Sequence, residues 1–464
     1  MKKESIKTLL LISLVICSMV LTTQIWFNEK LWSSDYDFFS VFKDKIVSLF
    51  RDDSEASLSI GDTGAFNSIF APNTMLLSGN NGRVLYDSST EKGGAINFVI
   101  NDVIKEALST KAVSEVTEDE WKNIIKSTNI YADYHVPVSV DAIGGFLEAD
   151  TVKTEGFVSF DKLLIDCDKL SSTIVPVYFR DSRSNHHFRI NTAFDKTKLT
   201  ALFENTGEDL NLSYSFELGL DKKAEGEGSK HQNVLLDSYI LLSLDETKMN
   251  TIKEEKLDIL SNTDHLLESF GYNKKTVRKF TQTNGTENYI DSKSTLIIDP
   301  KGFIEYTAVL ENGGLKIGED SDITTAAAGA ASLIDTILSE FYLNSSTKLF
   351  ISSPLVDNGE NTHTLTFSYL FDAIKINSNS PDCTVTVTDG KITYLKLNIK
   401  NFFEAYEDAP TNVLDIIEKA YTKNQSDSTL IIKDLSTGYV QYGGTYKKVW
   451  LVTTAATDET IIIE

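Results

Sequence analysis

The sequence predicts an α+β protein, with a single N-terminal transmembrane helix followed by three extracytoplasmic α+β domains built on antiparallel sheets. Three observations carry this. Thr8 to Phe27 is a 20-residue run without a charge. Beyond it, a helical pattern followed by several short strand-like runs occurs at about 246–310, at 324–398, and again at 412–464. The strand-like runs are joined by tight-turn residues rather than by crossover helices, which points to helices on one face of antiparallel sheets.

At 1.5 Å of rise per residue, a helix over 8–27 spans roughly 30 Å, the thickness of a bilayer's hydrocarbon core. Lys2, Lys3 and Lys7 precede it, which keeps residues 1–7 cytoplasmic and sends the remainder outside. Trp26, Phe27 and Trp32 fall at the depth that aromatic side chains prefer in the interface. A cleavable signal has a shorter apolar run and small residues after it, whereas this one ends in Gln24-Ile25-Trp26-Phe27. Cys17 follows Ile16 in mid-run, which does not suit a lipidated cysteine. The stretch therefore reads as an uncleaved anchor at the cell membrane.

A membrane-proximal helix and a polar linker occupy 28–64. The first domain is expected over 65–207. Asn73–Ser78 and Arg83–Tyr86 flank Gly79-Asn80-Asn81-Gly82, a hairpin by its turn residues. Helices follow at 96–108 and from Thr117, where Glu120 completes a capping box. Strands at 130–140, 173–180 and 187–191 precede a closing helix at 191–204. The middle domain, 208–318, reads as strands near 211–218 and 234–244, then a long helix over Glu246–Phe270 stopped by Gly271. Strands at 277–282, 287–290, 295–298 and 303–310 complete it, the last pair turned by Asp299-Pro300-Lys301-Gly302. The C-terminal domain, 319–464, opens with an Ala-rich helix at 324–343. Strands at 348–355, 362–373, 384–387 and 392–398 follow, with Asp389-Gly390 as a hairpin turn. A helix at 412–423 and strands at 428–433, 438–442, 447–454 and 461–463 end the chain.

The formal net charge is −23; residues 1–7 hold three lysines and one glutamate, so the remainder carries −25. Nucleic-acid binders cluster Lys and Arg against phosphates, so nucleic acid is excluded as a partner. Outside the membrane the cysteines are Cys167 and Cys383, read as two separate buried thiols, with a disulfide between them as the alternative. Among the six histidines, His186 and His187 are neighbours whose side chains leave a strand on opposite faces and cannot share a metal. Asp133 and His135 suit one face of a strand, and His363 sits in a Thr-rich run. Zincin, CxxC pair, GxSxG, Walker A and Rossmann patterns are absent, and Gly226–Lys230 lacks the Gly-Lys-Ser/Thr order. Asp166 and Asp168 around Cys167 read as a surface turn. No catalytic, cofactor or metal residues emerge, and a non-enzymatic protein is expected.

Lys7-Thr8-Leu9-Leu10-Leu11 running into Gln24-Ile25-Trp26, then Phe70-Ala71-Pro72-Asn73, Gly438-Tyr439-Val440 and Val449-Trp450-Leu451-Val452 carry a family likeness. Through them the chain resembles the YycH family of Gram-positive bacteria, and its C-terminal pattern is similar to the related YycI proteins. The resemblance implies a single-pass protein that modulates the sensor histidine kinase of the essential cell-wall two-component system (YycG, also called WalK) together with a YycI-like protein. The sign of that regulation stays open. Helices packed side by side in a membrane bias one another through small and polar residues, and Ser18, Thr22 and Gln24 are the candidate helix–helix contacts. An anchored extracytoplasmic module that binds a peptide or a cell-wall fragment is the alternative.

Overall fold

The computed structural model describes residues 71–464, apart from 81, 89, 111, 150–155, 169–173, 204–209, 223–232, 310–312, 319–321, 356–360, 425–428 and 456–459. The expected anchor and linker lie outside the described residues. Among the described residues no helix is long and apolar enough to cross a membrane.

The first sheet contains β1 (Thr74–Gly79), β2 (Gly82–Tyr86), β3 (Val113–Glu115), β4 (Asn129–Ser139), β5 (Ser159–Asp166), β6 (Val175–Asp181) and β7 (His186–Thr192). Its order is β2-β1-β4-β5-β6-β7-β3, antiparallel throughout. The expected hairpin is β1–β2, and Gly82 holds a φ of +115° that other residues rarely adopt. Helix α1 (Glu91–Leu108) starts at Thr90, whose hydroxyl accepts the Gly93 N–H at 3.0 Å. Its Ile96, Ile100, Val103 and Ile104 pack with Met75, Leu77, Ile130, Leu163 and Val177 of the sheet. Phe157, Phe160, Phe179 and Phe188 join that face, with ring centroids 5.0–5.1 Å apart for three of the pairs.

Helix α2 (Glu118–Lys126) lies on the opposite face, and α3 (Val140–Phe146) and α4 (Lys196–Phe203) flank the sheet. Thr117 caps α2 as expected, accepting from the Glu120 N–H. The Glu120 carboxylate does not complete the box; it accepts from Arg189 at 2.8 Å. The closing helix is α4, shorter than the expected 191–204. Strand β5 was not anticipated.

The strands that follow are β8 (Leu212–Tyr214), β9 (Val234–Leu236), β10 (Leu241–Ser243), β11 (Thr247–Glu255), β12 (Arg278–Thr281), β13 (Glu287–Ile290), β14 (Ser294–Ile298), β15 (Phe303–Ala308) and β16 (Leu315–Lys316). Next come β17 (Thr347–Ile351), β18 (Thr362–Phe371), β19 (Ile374–Asn377), β20 (Cys383–Thr388), β21 (Lys391–Asn398) and β22 (Asn401–Thr411). The chain closes with β23 (Leu430–Tyr442), β24 (Thr445–Thr454) and β25 (Thr460–Ile463). Helices α5 (Thr263–Ser269), α6 (Ile323–Leu338) and α7 (Val413–Asn424) are interleaved. β8 and β10 pair with each other; the others form one long sheet whose main path is β12-β13-β14-β15-β21-β20-β18-β19-β23-β24-β11-β22. Strands on both sides of residue 318 share it, because β15 pairs with β21. The pairing is antiparallel except where β9 and β19 meet β23. At the β20–β21 turn Asp389 and Gly390 both have positive φ, +50° and +68°, as a two-residue hairpin of the primed type needs.

The long helix expected over Glu246–Phe270 is not there. β11 occupies 247–255 instead, and only α5 is α-helical. Lys- and Glu-rich composition favours a helix locally, but Met249, Thr251 and Ile252 are buried by pairing with β22 and β24, and tertiary contacts override propensity. Gly271 does end α5, with φ +70°. Val138 of β4 forms an isolated parallel bridge with Leu355, which lies between β17 and β18, and the Ser139 N–H donates to the Leu355 carbonyl at 2.7 Å.

Candidate functional site

Alternation along β4 to β7 sends every second side chain to the face away from α1. The register then aligns Asp133, Lys162, Arg180 and His187 in one row across four adjacent strands. Tyr131, Leu164, Tyr178 and Arg189 form the next row. A row of charged side chains on a sheet is ordinarily solvated; this one is covered. Arg180 is 7% exposed and His187 3%.

Two elements supply the cover. Helix α2 lays Trp121 on His187, ring centroids 5.4 Å apart, and its Glu120 takes hydrogen bonds from Arg189 and Tyr178. The second is an arm, residues 212–222 and 237–243, carrying β8 and β10. Arg83 on β2 grips it with both Nη atoms on the Glu217 carboxylate, at 2.6 and 2.7 Å, and a third bond of 3.0 Å to the Leu212 carbonyl. The arm's aromatic rings each rest on a cation. Tyr214 lies under Arg83 at 5.0 Å, Phe216 under Lys126 at 4.9 Å, and Tyr239 under Arg180 at 4.1 Å. The Tyr239 hydroxyl donates to Glu118 at 3.2 Å.

The electrostatics follow from burial. Lys162 bonds Asp133 at 2.6 Å, with Asp161 at 3.9 Å. Burial alone would lower its pKa, but the two carboxylates outweigh that and hold it above the ordinary lysine range. Burial, reinforced by the Arg180 charge, pushes the His187 imidazole down to about 4. Among the described residues its Nε2, the Arg180 Nε and the Trp121 Nε1 have no hydrogen-bond partner. A neutral, covered histidine and a locked lysine do not serve as acid and base for a substrate. The chemistry of this row is docking: it fastens α2 and the arm to the sheet.

A second constellation looks more like an enzyme's. Ser269 Oγ is 3.3 Å from His265 Nε2, and Glu340 is 3.4 Å from His265 Nδ1. In a nucleophilic triad the nitrogen facing the serine must accept its proton. Here Nε2 also lies 3.0 Å from the Thr336 carbonyl, which can only accept, so that nitrogen carries the hydrogen. The serine hydroxyl in turn donates to the His265 carbonyl on its own helix. The trio ties α5 to α6.

Trp26, Phe27, Trp32, Ser18, Thr22 and Gln24 lie outside the described residues, as does Gly226–Lys230. His186 and His187 do point to opposite sides; His186 is exposed, 3.4 Å from Glu115. Asp133 is held by Lys162 and by the Tyr131 hydroxyl. Cys167 and Cys383 are free and buried. Among the described residues no three His, Cys, Asp or Glu side chains gather as a metal site would require.

The first sheet, with its covered polar row, and the long antiparallel sheet define an α+β protein. Residues 4–206 match the family model described as YycH protein, N-terminal domain. The fold is similar to the crystal structure of YycH from Bacillus subtilis, with a TM-score of 0.55 at 11% identity, covering 86% of this chain and 97% of that one. A search of curated proteins finds no match.

Proposed function

We propose that this chain is a membrane-anchored regulator of the YycG (WalK) sensor kinase, acting together with a YycI-like protein through its anchor helix and external domains. The supporting observation is that the family match begins at residue 4 and so takes in the apolar run Thr8–Phe27 along with the first sheet. In this reading residues 1–7 are cytoplasmic, the anchor is uncleaved and everything after residue 27 is outside. Regulation of a kinase by a neighbouring helix needs no catalytic group, and the two constellations above serve packing. Cells that express a version truncated after Asn28 test the route. Altered output from the kinase's target promoters supports transmission through the helix. Loss of all effect at equal abundance assigns it to the external domains.

A further inference from the structure

The long sheet has two free ends of opposite charge. At one end β12 pairs only with β13, and all four of its residues are exposed. Its sequence is Arg278-Lys279-Phe280-Thr281, preceded by Lys275, in a chain that is otherwise strongly acidic. Phe280 is 56% exposed. At the other end β22 pairs only with β11. Its start is covered, since the Phe402 N–H donates to the Thr347 hydroxyl. From Glu404 to Pro410 it carries Glu404, Glu407 and Asp408 with no cation, and Tyr406 is 63% exposed. Among the described residues no strand pairs with either outer edge.

We propose that these two edges join between copies of this chain, β12 of one copy adding to β22 of the next. An unpaired edge offers a row of backbone N–H and C=O groups to any strand that fits. Charge on an edge keeps sheets apart when both edges carry one sign; here the signs attract. The free run of β22 accommodates a four-residue strand, and Pro410, which has no N–H, marks where pairing ends. Lys279 is occupied by Glu287 at 2.7 Å, so Arg278 is the cation left to reach across. Glu407, likewise exposed and without an ion pair among the described residues, is its natural counterpart. The contact is heterologous, the same two patches at every junction, and repeats into short rows of copies rather than a closed dimer.

Sedimentation velocity of the full chain in detergent micelles, over a concentration series, tests this. The sedimentation coefficient rises with concentration at low salt and returns to the monomer value in about 1 M salt, where charges are screened beyond about 3 Å. Arg278→Glu and Glu407→Lys each weaken association at least about tenfold, because like charges now face one another. The double variant Arg278→Glu/Glu407→Lys recovers to within about threefold of the unmodified chain, since the pair is restored with its polarity reversed. Concentration-independent sedimentation of the unmodified chain overturns the proposal. So does association that salt leaves unchanged, or a double variant as weak as the singles with an unaltered circular dichroism spectrum.

Discussion

Arg83 and Glu217, 134 residues apart, form a two-pronged ion pair of 2.6 and 2.7 Å that clamps the arm onto the first sheet. Burial would raise the Glu217 carboxyl, but bonds from Arg83 and the Tyr214 N–H outweigh it and hold the group below its usual range. Replacing Arg83 by Ala leaves that carboxylate half-buried without its partner. The expected loss is about 1–3 kcal/mol, the range for a hydrogen-bonded charge left unpaired. Denaturant unfolding measures it, and limited proteolysis within the arm should quicken alongside. A Glu217→Gln change should cost less, because the amide oxygen still accepts.

His187 sets a dependence on acid. Its folded value of about 4 lies below the roughly 6.5 of an unfolded histidine. The unfolded chain therefore binds more protons in between, and stability is full above pH 6.5 and falls as pH drops toward 4. His187→Gln should flatten the slope of unfolding free energy between pH 7 and pH 5. Equal slopes in both proteins would rule out this histidine as the cause.

Two helical glycines should respond in opposite directions. A Cβ at Gly94 on α1 meets nothing within 4 Å, so Gly94→Ala should stabilise by about 0.4–1 kcal/mol. A Cβ at Gly329 on α6 would lie 2.6–2.7 Å from three Ile317 atoms, including its Cβ, which cannot swing aside. Overpacking of about 1–3 kcal/mol then exceeds the propensity gain, and Gly329→Ala should lower the melting temperature. Calorimetry of the pair separates backbone entropy from packing.

In the anchor, Ser18→Leu with Gln24→Leu keeps the run apolar and removes its hydrogen-bonding side chains. Interhelical hydrogen bonds in membranes average below about 1 kcal/mol each, so two of them shift a kinase equilibrium a few-fold. A partial change in target-promoter reporter signal is expected, at unchanged protein level and topology. Unaltered signal would move the contact surface to the external domains.

Much of the long sheet was legible because its turns announce themselves. Asp389-Gly390 and Asp299–Gly302 place β14, β15, β20 and β21 almost to the residue. Glu246–Phe270 misled because charge-rich composition speaks for a helix locally, while the pairing of β11 with β22 and β24 is set by strands far along the chain. The covered row was hidden for a similar reason. Lys162, Arg180 and His187 each look like an ordinary polar residue near a strand end. Only the register of β5, an unanticipated strand, lines them up.

The placement of β11 has a consequence in time. Its neighbours on both sides come later in the chain, and the Tyr446 hydroxyl that meets Glu254 is 192 residues downstream. At about 5–20 residues per second, synthesis leaves β11 waiting roughly 10–40 s before both partners exist. During that interval a strand with two open sides is available to the wrong chain. The yield of the finished protein should therefore depend on how quickly its last sixty or so residues are delivered, and slowing their arrival should cost more folded molecules than slowing the first sheet.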